Sequence, residues 1–262
     1  MVIMYSINET LKNITLKELC IVIISLFAIF YAFSFFKILP FNSTWIYVMI
    51  IVYFIFKLKN SFSDLKTDIA KVFSKDSIES ILLVVVLNIF LSYGLLYLSD
   101  FILNTYPSLN FLVNFQLSSI YVNNSLSLVF GFIAIILVSP ISEELIFRGV
   151  MLNRLKLFFP TKFAILATSL LFASLHSFGS ITSAFIFAIC MAVLYLKTDN
   201  IFVPMFAHFL NNLLAESIVF FDSGNLLFTN SILIYLISFL AIVSAAIIFI
   251  SIRREWDTIN NI

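Results

Sequence analysis

The amino-acid sequence predicts an all-α fold: a polytopic membrane bundle of about eight transmembrane helices with both termini cytoplasmic. Composition is the first observation behind this reading. Of 262 residues, 62% are hydrophobic, 11% are charged and 32 are phenylalanine, and the mean hydropathy is +1.11, well outside the range of globular domains. The second is a succession of apolar runs, each close to the length that crosses a hydrocarbon core of about 30 Å. The third is charge placement. All but one of the 15 basic residues, Lys37 being the exception, fall on one side of the topology those runs define or in the inner half of a span, which by the positive-inside rule is the cytoplasmic side.

The runs lie at about 19–36, 42–56, 78–98, 130–155, 163–178, 181–196, 201–221 and 231–251 when read with a window near 20 residues. The first follows Lys12 and Lys17 as a secretory signal would. It exceeds an h-region and has no small-residue cleavage site, so it is expected to be a retained helix. The second, fifth and sixth are short and call for tilt, re-entry or extension by their flanks. Residues 57–77 mix lysines with Asp64, Asp68 and Asp76, the pattern of a helix lying on the inner surface. Residues 99–129 carry a single charge, Asp100, and apolar patches around Phe111 and Phe115, as expected of an outer loop touching the membrane. Arg253 and Arg254 close the last run. No repeat, linker or soluble segment interrupts the pattern, so residues 1–262 are expected to form a single integral-membrane domain.

A net charge of +1 without basic clusters offers no surface to nucleic acid. Cys20 and Cys190 stand far apart without the spacing of a metal knuckle or redox motif, and are expected to act as small buried hydrophobes. Ionisable groups at membrane depth are costly and mark functional sites. Three runs carry them. In Ser139-Pro140-Ile141-Ser142-Glu143-Glu144-Leu145-Ile146-Phe147-Arg148-Gly149, Glu144 and Arg148 are spaced i,i+4 and can pair on one helix face. Glu143 is turned about 100° away and has no local partner. Pro140 removes a backbone hydrogen bond one turn earlier. The second run holds Phe172 and His176, and the third holds His208 and Asn212, i and i+4 on one face, with Glu216 a turn further on. Counted from Lys156, Lys162 and Lys197 at about 1.5 Å per residue, Glu143, His176 and His208 all lie roughly 17 to 21 Å from their anchors. They share a layer near the bilayer midplane. The bland alternative is that these groups brace helices through buried ion pairs and hydrogen bonds.

The order Glu-Glu-x-x-x-Arg, Phe-x-x-x-His, His-x-x-x-Asn, carried by Glu143, Glu144, Arg148, Phe172, His176, His208 and Asn212, resembles the CPBP intramembrane proteases. That family includes the type II CAAX prenyl endopeptidases and bacterial proteins of the lysostaphin-resistance type. The resemblance covers about residues 130 to 220, which would be the catalytic core. It implies hydrolysis of a peptide bond, with Glu143 as general base aided by His176, His208 and Asn212 donating to the oxyanion, and Glu144, Arg148 and Phe172 in support. A zinc site with Glu143, His176 and His208 as ligands stays open beside this scheme. The Asn, Ile, Lys and Phe bias points to an AT-rich bacterium, so the expected setting is a multi-pass protein of a bacterial cell membrane. The expected substrate there is a small peptide or a membrane-protein tail. Membrane lipid is the other expected partner, and the sequence leaves oligomeric state open. Two rival classes remain: a non-catalytic bacteriocin-immunity or regulatory binding protein, and a proton-coupled transporter.

Overall fold

The computed structural model of the protein describes residues 6–39, 41–106, 108, 125–222 and 224–256. Among these residues the regular structure is entirely helical. A short α1 (Ile7–Asn13) precedes α2 (Leu16–Phe35) and α3 (Ser43–Leu58), then a small amphipathic α4 (Leu65–Val72) and the long α5 (Lys75–Thr105). Side-chain caps set where these helices start: Thr15 accepts from the Glu18 amide, Asn42 from the Thr44 amide and Ser74 from the Ser77 amide.

One continuous helical rod follows. It begins with α6 (Ser125–Ile133), widens into a π-helical turn at Ala134–Val138, and returns to α-geometry in α7 (Ser139–Glu144). It widens again at Leu145–Leu152 and ends in α8 (Asn153–Leu155). Next come α9 (Thr161–Ala173), α10 (Ile181–Thr198), α11 (Phe202–Phe221), the single turn α12 (Leu226–Thr229) and α13 (Ser231–Trp256).

Six of these segments are long and apolar enough to cross a membrane: Leu16–Phe35, Lys75–Thr105, Val129–Leu155, Ile181–Thr198, Phe202–Phe221 and Ser231–Trp256. The other two expected spans appear as shorter apolar helices, Ser43–Leu58 and Thr161–Ala173. Helix α9 is short because Ser174 stops it. Its amide returns to Leu170 and its hydroxyl donates to the Leu171 carbonyl, the local competition that ends helices at serine. His176 therefore sits in the turn beyond α9 and not inside a spanning helix. Two further expectations are revised. Helix continues through Thr105, so the outer loop begins later than residue 99, and the patches around Phe111 and Phe115 lie outside the described residues. Cys190 is buried as expected, but Cys20 is exposed on the outer face of α2.

Helix α10 is the axis of the bundle, buried along most of its length. Large apolar side chains such as Phe35, Phe220 and Phe249 instead point outward, each more than 60% exposed, as befits a surface solvated by lipid. Helices α5 and α13 pack so closely at Gly94 that a Cβ there would stand 2.3 Å from the Cβ of Ala241. Helix α1 is docked against the basic end of the bundle. Leu11 presses on Gly149, where a Cβ would meet it at 3.2 Å. Asn8 donates to the Asp199 carbonyl (2.8 Å) and accepts from the Ile201 amide (3.1 Å), and Arg154 donates to the Ile14 carbonyl at 2.6 Å.

Candidate active site

The site is built where α7 faces α11, and its geometry starts from a proline. In the π-turn before α7 the Ser139 amide bonds back to the Ala134 carbonyl. The next carbonyl, that of Ile135, would then need the amide of residue 140, and Pro140 has none. Asn212 on α11 supplies the missing donor, its Nδ2 lying 3.0 Å from the Ile135 oxygen. The proline thus frees a backbone acceptor that ties α11 to the rod carrying the glutamates. π-turns of this kind are found disproportionately at functional sites.

Asn212 is fixed from its other end as well. Asn211 donates to its Oδ1 at 3.3 Å, and Asn88 on α5 donates to Asn211 Oδ1 at 2.9 Å. An amide carries two N–H donors. One of Asn212's is spent on Ile135, and the second takes no partner among the described residues.

Glu143 and Glu144 diverge as their adjacency on a helix requires. Glu144 is fully buried. Its Oε1 lies 2.9 Å from Arg148 Nη1 and 2.8 Å from His208 Nδ1, while its Oε2 is buried without a partner among the described residues. Arg148 also donates to the Ala188 carbonyl at 3.0 Å and lays its guanidinium 4.9 Å from the centre of the Phe172 ring. Glu143 is not without local partners. The Ser139 hydroxyl, one turn back on its own face, donates to Oε1, and the Tyr47 hydroxyl on α3 reaches both groups. Its Oε2 lies 3.8 Å from His208 Nε2. The imidazole of His208 is therefore set between the two glutamates, packed edge-on against Phe187 and Phe172 at 5.2 and 5.8 Å.

His176 stands beside this group, its ring 4.7 Å from that of Phe172. Its Nδ1 is 3.0 Å from the Phe172 carbonyl, and a carbonyl only accepts, so Nδ1 carries the hydrogen and Nε2 keeps its lone pair. Glu143, Glu144, Arg148, Phe172 and His208 thus form one connected cluster with His176 at its edge, and Asn212 joins it through the Ile135 carbonyl. Glu216 makes no hydrogen bond or ion pair to the cluster among the described residues. Sequence reasoning did not find Tyr47, Asn88, Asn211 or Phe187. Asn88 had a signal, being a polar residue in an apolar helix. Tyr47 had none.

Among the described residues no three His, Cys, Asp or Glu side chains converge closely enough to hold a metal ion. Nδ1 of His208 is engaged by Glu144 and Nδ1 of His176 by a carbonyl, contacts that imidazoles also make when Nε2 binds a metal. Glu143, His176 and His208 as arranged do not close a zinc site.

Residues 125–214 match the family model for Rce1-like type II CAAX prenyl endopeptidases. The likeness is confined to this span, about a third of the chain. The matched span contains every residue of the site described above except Tyr47 and Asn88, together with the π-turn, and it leaves α1 to α5, the end of α11, α12 and α13 outside. No curated protein and no solved structure matches the chain.

Proposed function

We propose that the protein is an intramembrane endopeptidase that hydrolyses a peptide bond in a small peptide or a membrane-protein tail. The observation that carries this reading is a buried carboxylate, Glu143, 3.8 Å from His208 on the facing helix, with Asn212 one turn further along that helix.

Glu143 takes a proton from water, and the hydroxide so formed adds to the scissile carbonyl. The lone pair on His176 Nε2 orients that water. As the C–O bond becomes an alkoxide, Asn212 donates its free N–H to it. His208 Nε2 is the second donor to that oxygen. The C–N bond then breaks, Glu143 returns its proton to the departing amine, and the carboxylate is restored. Glu144 acts through His208, whose Nδ1 it holds, and Arg148 keeps Glu144 in place.

The basic ends of the helices, with both termini, are assigned to the cytoplasm on the distribution of lysine and arginine, and the membrane to a bacterial cell. The test is cleavage of a peptide library that includes hydrophobic and lipidated members by the detergent-purified protein, read by mass spectrometry. Wild type yields products and Glu143→Gln loses them by about 10²-fold or more. A zinc chelator added to wild type decides whether a metal takes part. Identical empty profiles from wild type and variant would sink the protease reading and favour a binding or immunity protein.

A further inference from the structure

A second feature lies on the far side of α10 from the catalytic cluster. Phe187 and Ala188 face the cluster, the first against His208 and the second accepting from Arg148. Ile186 and Ile189 instead line a groove of about 570 Å³ shared with α5, α9 and α13, a size within the range of roughly 300–1,000 Å³ typical of small-molecule sites. From Ala245 to Trp256 the groove follows α13 through twelve residues, about 16 Å. Its walls are aliphatic and aromatic, and Leu166 and Phe249 among them are exposed on the outside of the bundle. Among the described residues only one charged side chain lines it, Arg253, at the basic end.

Arg253 is exposed, and among the described residues no acid pairs with it. The neighbouring Glu255 is engaged by Lys197 at 2.9 Å. The Trp256 ring at the same end lies under Lys162 Nζ, 5.7 Å from its centre. The lining therefore offers a cation and no carboxylate, and its aromatic face is already occupied by a cation.

We infer that this groove is a binding site for an anionic phospholipid, with an acyl chain along Ile186, Ile189 and Ala245 and the phosphate at Arg253. Charge complementarity selects the headgroup. Among the described residues a choline or ethanolamine cation finds no acid there to receive it, whereas a headgroup of net negative charge meets an arginine with no acidic partner among them. The apolar length selects a lipid over a free phosphate.

Trp256 is a built-in reporter, since the chain has two tryptophans and Trp45→Phe leaves only the one in the groove. The full chain is reconstituted in phosphatidylcholine vesicles containing increasing fractions of phosphatidylglycerol or phosphatidylcholine brominated on the acyl chains, and quenching of Trp256 is followed. Half-quenching is expected at about a fivefold lower mole fraction of the brominated phosphatidylglycerol, the preference one basic residue near a membrane surface supplies. Arg253→Gln abolishes the preference. Arg254→Gln, which removes an adjacent cation outside the groove, preserves it. Equal quenching by the two lipids in the Trp45→Phe protein overturns the proposal without reliance on any groove variant. So does an equal loss of preference in Arg253→Gln and Arg254→Gln, which would mean a diffuse surface field and not a site.

Discussion

Arg148→Met is the substitution that most directly probes how the cluster is held. The native guanidinium is 2% exposed and makes three contacts at once: the Glu144 carboxylate at 2.9 Å, the Ala188 carbonyl at 3.0 Å and the face of Phe172 at 4.9 Å. Methionine preserves much of the aliphatic stem and removes the charge. Glu144, with no exposed surface, is then left with His208 alone and with its second oxygen still unpartnered. Breaking a buried pair from one side costs about 3–5 kcal/mol, because the remaining charge has neither partner nor water. For a chain of this size that corresponds to a fall in apparent Tm of roughly 10 °C in mild detergent. The partner substitution makes the argument quantitative. In Glu144→Gln/Arg148→Met both charges are gone, and replacing a buried pair by neutral groups is close to neutral in stability. The double variant is expected to regain at least half of the lost Tm, a coupling a double-mutant cycle reads directly. If Arg148→Met costs less than about 1 kcal/mol, or if the double variant is as unstable as the sum of the singles, the pair is not the buried, mutually dependent unit described above.

Other expectations follow from close contacts and from the amide chain. Gly94→Val drives a side chain into Ala241 across the α5–α13 interface and should lower stability by about 1–3 kcal/mol, with partial recovery on adding Ala241→Gly. Thermal denaturation in detergent checks both. Asn8→Ala leaves the Ile201 amide and the Asp199 carbonyl without their partner, a loss of about 1–3 kcal/mol that should show as faster proteolysis of the α1 segment. Asn212→Ala should lower kcat by about 10²- to 10³-fold with little change in KM, while Asn212→Gln, which keeps an amide but displaces it, should recover only part. An equal fall in kcat/KM through KM alone would remove Asn212 from the transition state.

Much of the site was legible because helical spacing is rigid. The i,i+4 relation between Glu144 and Arg148 and the divergence of Glu143 follow from 3.6 residues per turn. The common depth of Glu143, His176 and His208 came from counting along apolar runs, and for Glu143 and His208 the structure brings the groups within 3.8 Å. What counting could not supply was which helix faces which. The link from Glu144 to His208 spans 64 positions, and the contact of Tyr47 with Glu143 depends on α3 packing beside α7. Both are products of tertiary packing and leave no trace in local spacing. The eight apolar runs were likewise readable, but hydropathy does not report where a serine ends a helix. The run ending at 178 therefore yields a helix that stops at Ala173 and a histidine in a turn.

Position 140 is occupied by the one amino acid defined by something it lacks. Asn212 reaches the Ile135 oxygen only because no backbone hydrogen is present to claim it. Alanine would suit the rod better by helix propensity, yet it would bring a competing N–H within reach of that oxygen and release the asparagine. A backbone ester at the same position, equally devoid of an amide hydrogen, would leave the arrangement intact. The chemistry at this point constrains the main chain and is indifferent to the side chain: a proline with no reactive group of its own decides whether a donor one helix away stays aimed.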